Sequence, residues 1–309
     1  MITRIKTESR DEWKRLRKGY IGGSDAAAVV GMNPFCSAWS LWAEKVGAAP
    51  EFDGNLATEV GTFLEEFVAK KFEAETGKTV RRCNLSLVND KYPWAIANID
   101  RDVVGEDAGL EIKTTSELNT RRFKNGEYPG NYYCQCVHYL AVTGKARWYL
   151  AVLIGNREFK IFTIERDEDE IKALMEAEED FWNGHVLTHT PPEADGSKAT
   201  TEAVKTVFPE AVEEEADIRE ADAWLQNYMD LGEQIAVLEA EREKNANSVK
   251  ALMGNRAFGK GSKFYVSWKS ATRNSFDAKR FQAKNPGLDL SGYYKTSSYR
   301  TFKVAERKA

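Results

Sequence analysis

The hydrophobic pattern of the first 186 residues changes its period partway along, and this change limits the possible folds more than any other feature. Residues 58–76 place apolar side chains at helical spacing, and Gly77 provides a stop. Between residues 79 and 164, short β-branched or aromatic runs bounded by turn residues predict strands, with an apolar helix at residues 132–142 among them. We therefore expect an α/β domain at residues 1–186, with a mixed central sheet flanked by helices.

Charge is distributed unevenly beyond that domain. Residues 187–201 are rich in Pro and small polar residues, which predicts a linker. Residues 202–243 carry 13 acidic and 3 basic side chains, whereas residues 256–308 carry 13 basic and 3 acidic ones together with many aromatic rings. This pattern predicts a smaller α+β C-terminal extension at residues 202–309, an acidic helix followed by a basic segment. The basic segment can contact a phosphate backbone and stack on bases, or it can pair with the acidic stretch.

The composition argues against several classes of protein. No apolar run reaches the roughly 18 residues that a transmembrane helix needs, so we expect no membrane insertion. The N-terminal residues lack the apolar core of a signal peptide, which favours a cytoplasmic protein. Three histidines and four cysteines without a CxxC pair argue against a histidine-rich site, a zinc site and a disulfide framework. Catalysis would then depend on carboxylates, lysines or arginines.

The residues best suited to such chemistry lie on two neighbouring predicted strands. Asp100 closes one strand, and Glu111 and Lys113 lie two residues apart on the next, which places them on one face. If the strands pair, Asp100 lies beside them. Paired carboxylates are hard oxygen ligands for Mg²⁺, and a lysine can hold a phosphate or a nucleophilic water. The same pattern is typical of a solvated strand edge, but the neighbours Leu110 and Ile112 favour burial.

Five short segments along residues 13–165 form a pattern that is more specific than any one of them. They are Arg17-Lys-Gly-Tyr-Ile-Gly-Gly-Ser24-Asp25 with Leu41-Trp42-Ala-Glu-Lys45, Gly61-Thr-Phe-Leu-Glu65, Asn98-Ile-Asp100, Gly109-Leu-Glu111-Ile-Lys113, and Tyr132-Tyr-Cys-Gln135. In this order they resemble the phage lambda exonuclease and YqaJ-like viral recombinase family, within the PD-(D/E)xK nuclease superfamily. The resemblance implies the restriction-endonuclease-like core of that superfamily. The sequence departs from the family at Ile99, where a proline is common, and at Val137, where a second glutamine is common.

The resemblance implies a metal-dependent catalytic site. Asp100 and Glu111 would be the metal carboxylates, and Ile112 would offer its backbone carbonyl as a further ligand. Lys113 would position the attacking water. Glu65 would bind the second of two Mg²⁺ ions, for which Mn²⁺ would substitute.

Further residues match the family at positions outside this metal centre. Gln135 would complete the catalytic site from a helix packed against the sheet, although it could also be a buried amide that satisfies the backbone. Arg17 and Ser24 match the positions that bind the 5′-phosphate of DNA in the family. Their chemistry agrees, since a guanidinium and a hydroxyl both suit a phosphate. Ser24 could instead serve only as a helix N-cap.

The function implied by the resemblance is a Mg²⁺-dependent exonuclease that degrades double-stranded DNA ends 5′→3′. It would generate 3′ single-stranded overhangs for phage-type homologous recombination. The family also implies a homotrimeric ring, a single-strand annealing partner of the RecT or beta type, and a phage or prophage gene expressed in a bacterial cytoplasm. The alternatives are an endonuclease, a Cas4-like nuclease with an iron–sulfur cluster, and a non-catalytic DNA-binding recombination mediator.

Overall fold

The protein is described by a computed structural model in which residues 1–295 and 297–305 are placed. The chain divides into two compact units, Met1–Pro209 and Glu210–Ala309. The helices of the first unit are α1 (Arg10–Lys18), α2 (Gly23–Val29), α3 (Ala38–Lys45), α4 (Leu56–Thr76), α5 (Gly130–Thr143), α6 (Glu168–Phe181) and α7 (Lys198–Val207). Its strands are β1 (Ile2–Ile5), β2 (Ile21–Gly22), β3 (Val80–Arg82), β4 (Ser86–Asn89), β5 (Tyr92–Ala97), β6 (Arg101–Val103), β7 (Ala108–Thr115), β8 (Arg147–Ile154) and β9 (Glu158–Glu165).

The first unit contains two mixed sheets. The five-stranded sheet has the order β3-β6-β7-β8-β9, in which β7 and β8 are parallel and the other neighbours antiparallel. The four-stranded sheet has the order β1-β4-β5-β2, in which only β2 and β5 run parallel. Helix α5 connects the parallel strands β7 and β8, as parallel pairing requires. The predicted α/β class with a mixed, helix-flanked sheet is therefore confirmed.

The two faces of strand β7 point into different surroundings because side chains alternate along a strand. Leu110 and Ile112 pack with Val68 and Phe72 of helix α4 in one apolar cluster. Residues 109, 111 and 113 point to the opposite face, where α5 lies. At Gly109 the ring of Trp148 occupies the place of a side chain, since a Cβ there would lie 2.3 Å from the ring. One face of β7 is thus a core, and the other leads to the polar site described below.

Helix α4 differs from its sequence-based description. Asn55 caps its N-terminus, and it ends at Gly77, which has the left-handed φ of 69°. The sequence pattern places the apolar residues of this helix along one side, which predicts an amphipathic helix. Val68 and Phe72 are buried, but Phe63 and Phe67 are 85% and 55% exposed. The C-terminal half of the helix packs its apolar side chains on the sheet, whereas those two rings of the preceding turns face solvent.

The boundary between the two units lies at Pro209, beyond the predicted linker at residues 187–201. Helix α7 begins inside that stretch and packs against α3. Thr200 is buried there, and its hydroxyl donates a hydrogen bond to Ser37 Oγ at 2.7 Å. This buried contact keeps residues 198–207 with the first unit.

The second unit contains both helix and strand, as predicted for the extension. Its elements are α8 (Asp222–Met253), β10 (Phe258–Lys260), β11 (Tyr265–Ser267) and α9 (Ala278–Lys284). The strands β10 and β11 form an antiparallel hairpin. Residues 306–308 of the predicted basic segment lie outside the described residues. Across the part of the chain that is described, no helix has the length and apolar character needed to cross a bilayer.

Candidate active site

The carboxylates and the lysine singled out in the sequence meet where β6 and β7 pair. Asp100 directly precedes β6, and the antiparallel register brings it level with Glu111. Asp100 Oδ2 accepts the backbone N–H of Ile112 at 2.8 Å. Lys113 Nζ lies 2.7 Å from Glu111 Oε1. The strand pairing therefore produces the predicted convergence of two carboxylates and one ammonium.

Gln135 joins this group from helix α5. Its Oε1 accepts a hydrogen bond from Lys113 Nζ at 2.7 Å, and its Nε2 donates to the Tyr139 hydroxyl at 3.0 Å. The Tyr139 hydroxyl in turn donates to the backbone carbonyl of Asn98 at 2.9 Å. We call Asp100, Glu111, Lys113 and Gln135 the carboxylate cluster. Tyr139 was not predicted from the sequence, although its spacing of one helical turn from Gln135 could have revealed it.

Burial makes the carboxylate cluster electrostatically unusual. Burial, together with the neighbouring Glu111, raises the pKa of Asp100 well above its usual range. Burial also raises the pKa of Glu111, although Lys113 partly counteracts it. For Lys113, burial disfavours the charged form, but the adjacent carboxylates outweigh it and raise the pKa of the ammonium. The two carboxyl groups therefore resist being ionised together, and the single lysine beside them does not remove this effect.

The donor set of the carboxylate cluster fits a hard divalent cation. Glu111 is 2% exposed, and its Oε2 is buried without a hydrogen-bond partner. An unpaired buried carboxylate oxygen is costly unless a cation or water satisfies it. Among the described residues, no three Asp, Glu, His or Cys side chains form a ready-made metal cluster. Asp100 and Glu111 are the carboxylates that line the cavity beside Ile112, and Mg²⁺ needs only a few protein ligands of this kind because it keeps several waters.

Glu65 lies at this site but is engaged elsewhere. Its carboxylate accepts a hydrogen bond from the guanidinium of Arg101, and the neighbouring Glu66 accepts another at 3.2 Å. Arg101 is only 3% exposed, so the ion pair is largely shielded from water. Arg101 was not singled out from the sequence. Nothing in its local pattern indicates that it would reach helix α4.

Arg17 and Ser24 also lie together. Arg17 Nη2 donates to Ser24 Oγ at 3.0 Å and to Asp25 Oδ1 at 3.1 Å. Asp25 Oδ2 accepts from Lys45 Nζ at 2.8 Å and from the backbone N–H of Gly22 at 3.0 Å. We call Arg17, Ser24, Asp25 and Lys45 the Arg17 cluster. Helix α2 is capped by Gly22, so Ser24 is not its N-cap residue and its hydroxyl remains at the surface of the site.

One cavity of about 380 Å³ brings the two clusters together. The sequence-derived site residues that line it are Arg17, Ser24, Glu65, Asp100, Glu111, Ile112, Lys113 and Gln135. Trp13, Asn98 and Tyr139 line it as well. The residues come from α1, α2, α4, α5 and strand β7, so the cavity exists only in the folded domain.

The cysteines do not assemble near this cavity. Burial raises the pKa of the Cys36 and Cys134 thiols to about 11, which keeps both neutral. Within residues 1–295 and 297–305, no cluster of metal-binding side chains includes them. His138 is buried and lies 2.8 Å from Glu178, which gives it a structural partner.

Comparisons with known proteins identify the family of this chain. The sequence profile of the YqaJ-like viral recombinase domain matches residues 12–146. An uncharacterized protein of Bacillus subtilis (strain 168), YqaJ, is 36% identical over 303 residues, which cover 96% of this chain and 95% of that protein. The chain therefore belongs to the YqaJ-like viral recombinase family.

Solved structures resemble this chain at lower identity. A crystal structure of an alkaline exonuclease from Laribacter hongkongensis, LHK-Exo, aligns at 21% identity with a TM-score of 0.48. That alignment covers 58% of this chain and 94% of LHK-Exo. A putative exonuclease from Eubacterium rectale aligns at 12% identity with a TM-score of 0.45, and covers 70% of this chain and 98% of that protein.

Proposed function

We propose that this protein is a Mg²⁺-dependent exonuclease that degrades double-stranded DNA from its ends in the 5′→3′ direction. Its products would be 3′ single-stranded overhangs, the substrates of phage-type homologous recombination. The observation that carries the proposal is the shared cavity. One pocket holds the buried Glu111 and the half-buried Asp100 with a lysine and, beside them, an arginine with a hydroxyl suited to a terminal phosphate.

The carboxylate cluster is suited to a divalent ion. Asp100, Glu111 and the backbone carbonyl of Ile112 would hold Mg²⁺, and Mn²⁺ would substitute because it accepts the same oxygen ligands. Such an ion stabilises negative charge on a phosphate and lowers the pKa of a bound water. Glu65 would contribute to a second ion only after it released Arg101, with which it is paired in this structure.

Lys113 and Gln135 position the nucleophile in this proposal. The Gln135 carbonyl oxygen and Glu111 hold the Lys113 ammonium from two sides, which fixes its direction within the cavity. The remaining N–H of that ammonium can hold a water or a phosphate oxygen. The Tyr139 hydroxyl accepts a hydrogen bond from Gln135 and donates one to the Asn98 carbonyl. These two bonds fix the orientation of the Gln135 amide, which in turn holds Lys113.

The Arg17 cluster would select the DNA end. The Arg17 guanidinium and the Ser24 hydroxyl line one cavity and hydrogen-bond to each other, so a terminal phosphate there would find N–H and O–H donors side by side. Asp25 holds Arg17 in place, while Lys45 neutralises the second oxygen of that carboxylate. A 5′-phosphorylated end would bind better than a 5′-hydroxyl end, which gives the enzyme its polarity.

The proposed assembly and partners rest on the resemblance to the family rather than on contacts within this chain. We propose a homotrimeric ring that encloses the duplex, and a single-strand annealing protein of the RecT or beta type that binds the exposed strand. Both would act in the cytoplasm of a bacterial host, from a phage or prophage gene.

The decisive experiment is digestion of linear duplex DNA, labelled at either end, with and without Mg²⁺. We expect nucleotides to be released from 5′-phosphorylated ends, more slowly from 5′-hydroxyl ends, and not from covalently closed circles. Lys113→Ala should abolish release and spare DNA binding. Equal cleavage of circles and linear DNA would show an endonuclease, and annealing without nucleotide release would show a recombination mediator.

A further inference from the structure

The hairpin β10–β11 of the second unit exposes an aromatic and basic face. Phe258 lies opposite Ser267, Gly259 opposite Val266, and Lys260 opposite Tyr265. Residues 258, 260, 265 and 267 share one face, because side chains alternate along paired strands. Phe258 and Tyr265 on that face are 61% and 79% exposed.

The other face of the hairpin packs inward. A Cβ at Gly259 would lie 3.5 Å from Met253 Sδ, at the buried end of helix α8. The hairpin therefore lies with Gly259 toward its own unit and with both rings toward solvent. Neither ring contributes to the core of this unit, so the packing of the unit does not explain why two large rings are exposed on one face.

Lysines accompany both rings. Lys260 Nζ lies 5.9 Å from the centre of the Tyr265 ring, and Lys269 Nζ lies 4.6 Å from that of Phe258. Among the described residues, neither ammonium has a carboxylate within ion-pair distance. Each ring thus has an ammonium within cation–π distance, and that ammonium can still contact a phosphate.

We infer that this face, Phe258, Lys260, Tyr265 and Lys269, is a binding site for single-stranded DNA. Bases would stack on the two rings, and the phosphates between them would contact the two lysines. The rings are diagonal cross-strand neighbours, about 7–8 Å apart by sheet geometry, which allows consecutive bases to use both. The local charge agrees, since residues 256–308 carry 13 basic and 3 acidic side chains. This binding site goes beyond the proposed nuclease function and does not depend on it.

The test is fluorescence anisotropy of a labelled oligothymidine with a 5′-hydroxyl, titrated with the full-length protein in EDTA. We expect Phe258→Ala with Tyr265→Ala to weaken binding at least about tenfold, since each stacked base contributes substantially. Phe258→Leu with Tyr265→Leu should weaken binding nearly as much, because leucine keeps apolar bulk but has no ring. Tyr265→Trp should retain or improve binding.

A matched control separates stacking from general disturbance of the unit. Trp224 on α8 is 72% exposed, and Trp224→Ala should change the affinity by less than about twofold. Lys260→Ala with Lys269→Ala should reduce the slope of log affinity against log salt by about 1.4, or about 0.7 for each phosphate that is no longer neutralised. Three results would overturn the inference. The first is an unchanged affinity when both rings are replaced by alanine, and the second is an equal loss of affinity in Trp224→Ala. The third is that replacing both rings weakens binding of a blunt duplex as much as binding of oligothymidine.

The outcome is distinguishable from failure of the nuclease proposal. The hairpin variants should degrade linear duplex DNA at the initial rate of the unaltered protein, because the hairpin residues do not line the catalytic cavity. A protein with no nuclease activity could still show the ring-dependent binding. A protein that binds a basic or acidic partner protein at this face, and no oligothymidine, would contradict the inference.

Discussion

Two aspartates of the same domain, the buried Asp25 and the half-buried Asp100, have pKa values that are shifted in opposite directions. Burial raises the pKa of Asp100, and the nearby Glu111 raises it further. Burial opposes ionisation of Asp25 as well, but Lys45 and Arg17 outweigh it and hold its pKa well below the usual range. The difference lies in the charged neighbours, since each aspartate accepts a backbone N–H, but Asp25 contacts two cations whereas Asp100 lies beside another carboxylate.

This comparison separates two uses of a buried carboxylate. Asp25 has its partners within the protein, so it can orient Arg17 before any ligand arrives. Asp100 and Glu111 have one ammonium, that of Lys113, between them, and in the proposed function a divalent cation from solution would supply the missing positive charge. One cavity therefore brings a preorganised arginine and hydroxyl next to two carboxylates that would bind the ion in the proposed function. Variants of the two clusters should differ accordingly, and the largest effect is expected at the carboxylates.

Removing one carboxylate charge should affect activity far more than folding. Asp100→Asn should reduce nucleotide release by roughly 10³-fold, because a metal ion contributes several kcal/mol of charge stabilisation. In EDTA, the melting temperature of this variant should stay the same or rise, since a source of repulsion is removed. Asp102→Asn is the control, because Asp102 pairs with Arg81 and Lys145 and does not line the cavity. A drop in melting temperature without loss of activity would contradict the assignment.

The reverse result is expected in the Arg17 cluster. Lys45→Met should lower the free energy of unfolding by about 3–5 kcal/mol, since it leaves a buried carboxylate short of a partner. The side chain of Lys45 is only 2% exposed. Lys14→Met should leave the urea midpoint nearly unchanged, because Lys14 pairs with the exposed Asp53. Equal midpoints for the two variants would show that the Lys45–Asp25 pair does not stabilise the fold.

Arg17→Ala should act on end recognition. We expect about a 10- to 100-fold loss of rate on 5′-phosphorylated ends, the range of a charged hydrogen bond, and little change on 5′-hydroxyl ends. Rates on the two substrates measure this directly. Arg15→Ala on the exposed side of the same helix should retain the preference. A parallel loss on both kinds of end would assign Arg17 to the chemistry instead.

The smallest effect concerns acid stability. Since the pKa of Asp25 is lowered from 3.8 in the folded protein, its ionised form contributes stability above that value. That contribution disappears as the pH falls toward the folded pKa. The difference in urea midpoint between the unaltered protein and Asp25→Asn should therefore shrink below about pH 4. A difference that stays constant from neutral to acid pH would exclude this role.

Much of the fold could be predicted from the sequence because its signals are local. Alternation along residues 108–115 places Glu111 and Lys113 on one face, and the structure confirms this. The mixed sheet follows from strands interrupted by the α5 helix. Helix α4 was harder to predict, because its apolar residues indicate a buried face but not how far along the helix the sheet extends. The extent of α7 likewise depended on its contact with α3.

The residues that belong to the site could be predicted from the sequence, but the contacts that hold them could not. The resemblance to a known family identified Arg17, Ser24 and Gln135, and it agreed with the strand pattern on the carboxylates. All of these residues line the cavity. Arg101 and Tyr139 were not singled out, and Lys45 was noted only as part of a motif, although each of the three contacts one of the site side chains or its partner.

The sequence by itself therefore determined which residues alternate, which repeat at helical spacing, and where the carboxylates and lysine fall along strand β7. These are properties of neighbours in the chain. Only the tertiary structure decided that Glu65 pairs with Arg101, that Asp25 pairs with Lys45, and that the two clusters open into one cavity. Charge partners separated by 20 or 36 residues come into contact only when packing brings their helices and strands together. The number of such partners decides whether a carboxylate in the interior has its hydrogen bonds and charge satisfied within the protein.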